Sequence, residues 1–126
     1  MVTGSCLCKG VSFEVTGPMR QAWACHCSQC RKQSGHFWAS TNVDKADFRL
    51  MSDATLGWYN ASPIARRGFC AACGSFLFWD EDGTDGISIS LGSLDAPTGL
   101  QLERHIFTAD KGDYYDITDD LPQRAD

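Results

Sequence analysis

The chain has 126 residues, 43% of them hydrophobic and 11% aromatic, enough to fill one core in one domain spanning 1–126 and too many for a disordered chain. Sixteen acidic residues against eleven basic ones give a formal charge of −5, a poor basis for gripping a nucleic-acid backbone. No apolar run approaches the ~20 residues needed to cross a bilayer, so neither nucleic acid nor membrane is an expected partner.

Met1 to Cys6 show neither a basic region nor an apolar stretch, so no signal peptide is read there and the expected location is the cytoplasm. Val11, Phe13 and Val15 alternate with Ser12 and Glu14, the period of a half-buried strand. Further strands are predicted at Gln21–His26, Phe37–Asn42, Thr55–Tyr59, Ile64–Phe69 and Phe76–Trp79. Ile87–Leu91 repeats the alternation, and Leu102–Phe107 closes the series. Turn signals divide them at Gly17-Pro18, Ser62-Pro63, Asp82-Gly83, Asp85-Gly86 and Ala96-Pro97. Only Ser28–Ser34 reads as helix, with Ser28 as its expected N-cap and Gly35 just past its end. Asp80–Asp85 reads as a solvated hairpin turn, and the acidic tail Ile117–Asp126 as a fraying end.

The seven cysteines carry the chemistry. They fall into three groups: Cys6 and Cys8; Cys25, Cys27 and Cys30; Cys70 and Cys73. An odd count is unlike a secreted disulfide scaffold. Cysteines two apart on an extended segment also point the same way and bridge each other poorly. In a reducing compartment such clusters bind metal. Cys70-Ala71-Ala72-Cys73-Gly74 has the form of a zinc knuckle, two thiolates on a tight turn closed by glycine. A closed structural zinc needs four ligands, whereas a catalytic one keeps three and leaves a position open. Four plus three uses every cysteine. Cys6 and Cys8 are the pair that leaves three behind, although by spacing alone either other group can join the knuckle.

Three segments stand in order: Gly4-Ser5-Cys6-Leu7-Cys8-Lys9-Gly10-Val11, Cys25-His26-Cys27-Ser28-Gln29-Cys30-Arg31-Lys32-Gln33-Ser34-Gly35 and Phe69-Cys70-Ala71-Ala72-Cys73-Gly74-Ser75. With Gly92-Ser93-Leu94-Asp95 and His105-Ile106-Phe107 they resemble the glutathione-dependent formaldehyde-activating family over roughly residues 3–122. The resemblance implies a mostly β fold, a β-tent of antiparallel sheets pinned by zinc, with one short helix. It implies a structural zinc on Cys6, Cys8, Cys70 and Cys73, and a second, catalytic zinc on Cys25, Cys27 and Cys30. It implies a carbon–sulfur lyase whose partners are a small glutathione-like thiol and an aldehyde. The alternative is a non-catalytic zinc-binding module. Where the family has a tryptophan after His-Ile-Phe, this chain offers Tyr114 and Tyr115.

An open zinc position binds a soft thiolate and lowers its pKa, so a thiol held there can add to an aldehyde carbon. Three thiolates and one divalent zinc leave one net negative charge, which Arg31 and Lys32 are placed in sequence to offset. Between two ligands on a strand, His26 is expected to face the other way and to pack or hydrogen-bond. His105 also reads as structural, and Ser34 and Gly35 as the end of the helix. Trp23, Phe37, Trp38, Phe69, Phe76, Phe78 and Trp79 read as core and lining.

Overall fold

A computed structural model describes all residues, 1–126. Strand β2 (Val11–Val15) buries its alternating Val11, Phe13 and Val15 almost completely. It forms the middle of a three-stranded antiparallel sheet between β1 (Val2–Ser5) and β5 (Phe48–Asp53). Neither flanking strand was expected from the sequence. Both lack a period-two apolar pattern, and Arg49, Leu50 and Met51 of β5 are exposed. Their strand character comes from the hydrogen bonds that β2 offers on its two edges.

The second sheet has seven strands. They are β3 (Arg20–Cys25), β4 (Trp38–Asp44), β6 (Leu56–Asn60), β7 (Ala65–Cys70), β8 (Phe76–Glu81), β9 (Gly86–Ser90) and β10 (Arg104–Ile106). Their order is β10-β3-β4-β9-β8-β7-β6, antiparallel throughout except where β10 lies parallel to β3. A parallel neighbour needs a crossover rather than a hairpin. Residues 94–103, which hold no regular element, carry the chain across to make it. β10 is shorter than the expected Leu102–Phe107.

Period two divides the faces of this sheet. Val43, Ile87, Ile89 and Phe78 are buried on the side that meets the three-stranded sheet. There Phe13 packs edge-on against Phe78, ring centroids 5.4 Å apart, and lies 5.6 Å from Phe48. Each such ring contributes roughly 1.5–3 kcal/mol by leaving water. The opposite positions, Trp23 and Cys25 of β3, Trp38, Ser40 and Asn42 of β4, Trp79 of β8 and Ser88 of β9, face away from this core and line a cavity.

The helix α1 runs Ser28–Ser34. Its N-cap is Cys27 and not Ser28, because the Cys27 side chain accepts from the Cys30 backbone N–H at 3.4 Å. Gly35 ends it with φ 90°, a left-handed conformation that a Cβ disfavours, and returns its N–H to the Arg31 carbonyl.

Two expectations for the acidic segments are corrected. Asp80 is not part of a solvated turn. It is 8% exposed in β8, where the register sets it opposite Arg66, and it ion-pairs with Arg66 at 3.0 Å and Lys45 at 2.8 Å. The tail is paired rather than free-standing. His105 donates its N–H to the Pro122 carbonyl and accepts from the Arg124 N–H, both at 2.9 Å, so the chain end runs beside β10.

Candidate metal centres and the adjoining cavity

Two groups of sulfur atoms converge, Cys6, Cys8, Cys70 and Cys73 in one and Cys25, Cys27 and Cys30 in the other. Within each, all Sγ atoms lie within 4.8 Å of one another. In the first group the turn after β1 brings Cys6 and Cys8 against the turn after β7. The Sγ atoms of Cys6 and Cys8, and of Cys8 and Cys70, are 3.6 Å apart. Four sulfurs at about 2.3 Å from a tetrahedral zinc stand about 3.8 Å from each other, so this donor set fits that ion. Gly74, at φ 83°, lets the knuckle close with its N–H on the Cys70 carbonyl at 2.8 Å. Backbone donors aim at the sulfurs, Val11 N–H at Cys6 and Cys73 N–H at Cys70, both at 3.3 Å. The Ser75 hydroxyl beside Cys73 holds that thiol down at about 5. The four sulfurs of this group face one another.

The second group sits where β3 runs into α1. Cys25 ends the strand, Cys27 caps the helix and Cys30 lies one turn along it. Of the three, Cys27 gives up its proton most readily, because the Cys25 and Cys30 thiols and the Cys30 N–H all donate to it. The hydrogen bond to Cys27 pushes the Cys25 thiol up. No fourth cysteine approaches this group, so a zinc held here keeps one position free of these ligands.

The cation beside this group is Arg67 of β7, which the sequence reading did not select. The residue is 5% exposed and directs Nη1 and Nη2 at the Cys30 sulfur, 3.6 and 3.7 Å away, with Gln33 Oε1 3.4 Å from Nη1. The basic pair expected here is placed elsewhere. Arg31 Nε donates to the Asp110 carbonyl at 3.3 Å, and Lys32 is exposed. The helix turns these two outward, whereas its inner face meets β7.

The three cysteines open into a cavity of about 560 Å³ that extends over the outward face of the large sheet. That volume falls within the range of small-molecule sites. Trp23, Trp38 and Trp79 supply its apolar walls, and Ser40, Asn42 and Ser88 its polar floor. The three tryptophans therefore line a cavity, while Phe78 belongs to the core. Phe107 contributes to the lining from a left-handed backbone conformation, φ 54°, that bulky side chains seldom adopt.

His26 and His105 lie away from this cavity. Both are buried, with Nε2 of His26 2.9 Å from Nδ1 of His105. Burial, followed by the neighbouring His105, pushes His26 down to about 4. Tyr115 Oη reaches His26 Nδ1 at 3.3 Å, and Asp119 Oδ2 reaches His105 Nε2 at 2.9 Å. The structure thus sets both histidines in a hydrogen-bonded chain and neither among the sulfurs. Ser34 receives the His36 N–H and donates to the Phe37 carbonyl, closing the helix end.

The chain is similar to known proteins. The profile of the family described as glutathione-dependent formaldehyde-activating enzyme matches residues 1–110. An uncharacterized lyase of Schizosaccharomyces pombe is 27% identical over 116 residues, covering 90% of this chain and 83% of its own. A crystal structure of a Rhodobacter sphaeroides protein superposes with a TM-score of 0.59 at 24% identity, over 79% of this chain and 96% of that one. That likeness is one of fold. No helix here is long and apolar enough to cross a membrane.

Proposed function

The chain belongs to the glutathione-dependent formaldehyde-activating enzyme family, and on that premise we propose that it is a carbon–sulfur lyase acting on the adduct of a small, glutathione-like thiol and an aldehyde. One observation carries the reading. Three cysteine sulfurs, not four, converge beside a cavity of about 560 Å³, while the other four cysteines face one another. We assign zinc to both groups, structural on Cys6, Cys8, Cys70 and Cys73, and open on Cys25, Cys27 and Cys30. When bound at the open group, zinc supplies a Lewis acid and a position at which an incoming thiol is held as thiolate.

The chain's own residues prepare that place. Cys27 offers a thiolate held by the Cys30 N–H, and the capped start of α1 keeps Cys27 and Cys30 one turn apart. Arg67 offsets the net negative charge of three thiolates around a divalent ion, its buried Nη1 and Nη2 held by the Cys30 sulfur and Gln33. Trp23 and Trp38 keep water from the adduct while Ser40, Asn42 and Ser88 offer it hydrogen bonds. Seven free thiols suit a reducing compartment, which we take to be the cytosol.

The experiment is a titration of glutathione, cysteine and 2-mercaptoethanol into zinc-loaded protein. The expected result is one thiol per open site, lost in Cys27→Ser with the fold intact. If no thiol binds, the chain is better read as a zinc-bound binding module.

A further inference from the structure

Apart from its three cysteines, the cavity is lined by two charged residues, Arg67 and Glu81. Arg67 is committed to the Cys30 sulfur and Gln33. Glu81 has no such partner. Its backbone carbonyl accepts from Thr84, whereas its carboxylate makes no hydrogen bond or ion pair with the chain. Two cations of this region, Lys45 and Arg66, ion-pair with Asp80 at 2.8 and 3.0 Å, and Lys45 also donates to the Thr84 carbonyl. Alternation along β8 turns Asp80 to the opposite face from Glu81. A half-buried carboxylate facing tryptophan walls is unfavourable until a cation meets it.

Register places Glu81 at the far end of the cavity from the sulfurs. Cys25 pairs with Trp38 at the start of β4. The ladder continues through Ser40 and Ser90, then Asn42 and Ser88, to Trp79 and Arg67. Glu81 lies two residues past Trp79, opposite Ala65, a further step of about 7 Å along the strand. Trp79 shares its face and sets an indole at that end, a surface that favours a cation. We infer that Glu81 is a specificity-determining residue, which receives a protonated amine at the far end of the thiol whose sulfur takes the open zinc position. The inference rests on the thiol-adduct reading above and names which thiols that site takes. A molecule that meets both ends needs a chain of several atoms between its sulfur and its nitrogen.

Charge points the same way. A zinc-bearing three-thiolate group with Arg67 is neutral, so Glu81 leaves the lining with one net negative charge. An incoming thiolate adds a second. An ammonium on the same molecule offsets one of them, whereas a terminal carboxylate adds a third and finds no free cation in the lining. Arg104 and Arg124 pack on Trp23, their guanidinium carbons 5.1 and 5.8 Å from its ring, but they lie outside the lining. Trp23 belongs to β3, three strands across the sheet from β8, so these two cations do not serve the Glu81 end.

The test is calorimetric titration of zinc-loaded wild type and Glu81→Gln with three thiols of similar length and different ends. They are 6-amino-1-hexanethiol, 6-mercapto-1-hexanol and 6-mercaptohexanoate. A fourth thiol, 2-mercaptoethanol, is too short to reach Glu81 and reports on the open position alone. In wild type the amine should bind about tenfold more tightly than the alcohol, as a hydrogen bond between charged groups implies, and the carboxylate more weakly than the alcohol. In Glu81→Gln the amine and the alcohol should bind alike, within about twofold.

A wild-type preference for the amine below about threefold, with 2-mercaptoethanol still bound, overturns the inference and leaves the lyase reading standing. So does a preference that survives Glu81→Gln. If Glu81→Gln fails to fold, NMR of the wild type with 6-amino-1-hexanethiol decides. The methylene beside the nitrogen should show Overhauser contacts to the Glu81 side chain, and their absence overturns the subsite. If the wild type binds none of the four thiols, the lyase reading falls first and takes the subsite with it.

Discussion

Nε2 of His26 and Nδ1 of His105 lie 2.9 Å apart although 79 residues separate them in the chain. One ring donates and the other accepts, and with both rings neutral their outer partners set the direction. Asp119 accepts from His105 Nε2–H, so His105 Nδ1 is the acceptor for His26 Nε2–H. His26 Nδ1 is then free to accept from Tyr115 Oη at 3.3 Å. Burial keeps the His26 ring neutral in this arrangement, driving it down to about 4. The chain of hydrogen bonds ties the strand leading into Cys25 to the C-terminal segment.

Replacing His105 should therefore loosen two regions at once. His105→Ala leaves the His26 donor buried without a partner, a loss of about 1–3 kcal/mol. Amide exchange should quicken at Tyr115–Arg124 and also across β3, as read by hydrogen-exchange mass spectrometry. Asp119→Asn, at the exposed end of the relay, should affect the tail alone. Equal exchange in β3 of wild type and His105→Ala would show the relay to be incidental.

Asp80 predicts a pH dependence with a definite sign. Lys45 and Arg66 outweigh its burial and hold its carboxyl below the ordinary 3.8. A group depressed on folding adds stability above its unfolded pKa, and that stability is lost as pH falls through the lower folded value. Asp80→Asn should therefore cost about 1–3 kcal/mol at neutral pH. The penalty should hold down to about pH 4 and shrink only below it. Urea midpoints of the two proteins across that range are the measurement. A penalty that fades between about pH 7 and pH 5 would assign the effect to another group.

What could be read from the sequence was local. The alternation in Val11–Val15 and Ile87–Ser90, and the paired spacings of the cysteines, are visible within a few residues. They led to a mostly β fold and to the seven sulfurs as the chemically active set. What escaped depends on distant partners. β1 and β5 are strands because β2 pairs with them, not because of their own pattern. Arg67 looks like any cation in a strand until β7 packs under α1 and Cys30, 37 residues away, meets its guanidinium. A positive residue within a mostly buried strand was the one available hint. Arg31 and Lys32 are near Cys30 along the chain, but the helix turns that nearness into a different face.

Arg31 gives a discriminating negative prediction. Its Nε is engaged with the Asp110 carbonyl outside the cavity, and the cavity lining does not include it. Arg31→Ala should leave thiol affinity within about twofold of wild type, a change typical of a half-buried charge outside the site. Calorimetric titration of 2-mercaptoethanol into the zinc-loaded variant checks this. A loss of tenfold or more would return the charge-balancing role to the helix and away from Arg67.

The two cysteine groups should part with metal separately, because they differ in what metal loss undoes. Cys6, Cys8, Cys70 and Cys73 join the turn after β1 to the turn after β7, and Cys6 and Cys70 belong to the hydrophobic core itself. Four thiolates leave no position for a chelator to enter by, and removal of the ion uncouples the two sheets. Cys25, Cys27 and Cys30 lie within one strand-to-helix junction, facing the cavity, so a chelator can occupy the open position there. A mild chelator should take one equivalent of zinc quickly with no change in far-ultraviolet circular dichroism. The second equivalent should leave only as the protein unfolds. Cys73→Ser should therefore give molten or insoluble protein, whereas Cys30→Ser should fold and hold one zinc. Should both equivalents leave in a single transition in the wild type, the division into a closed and an open centre is wrong.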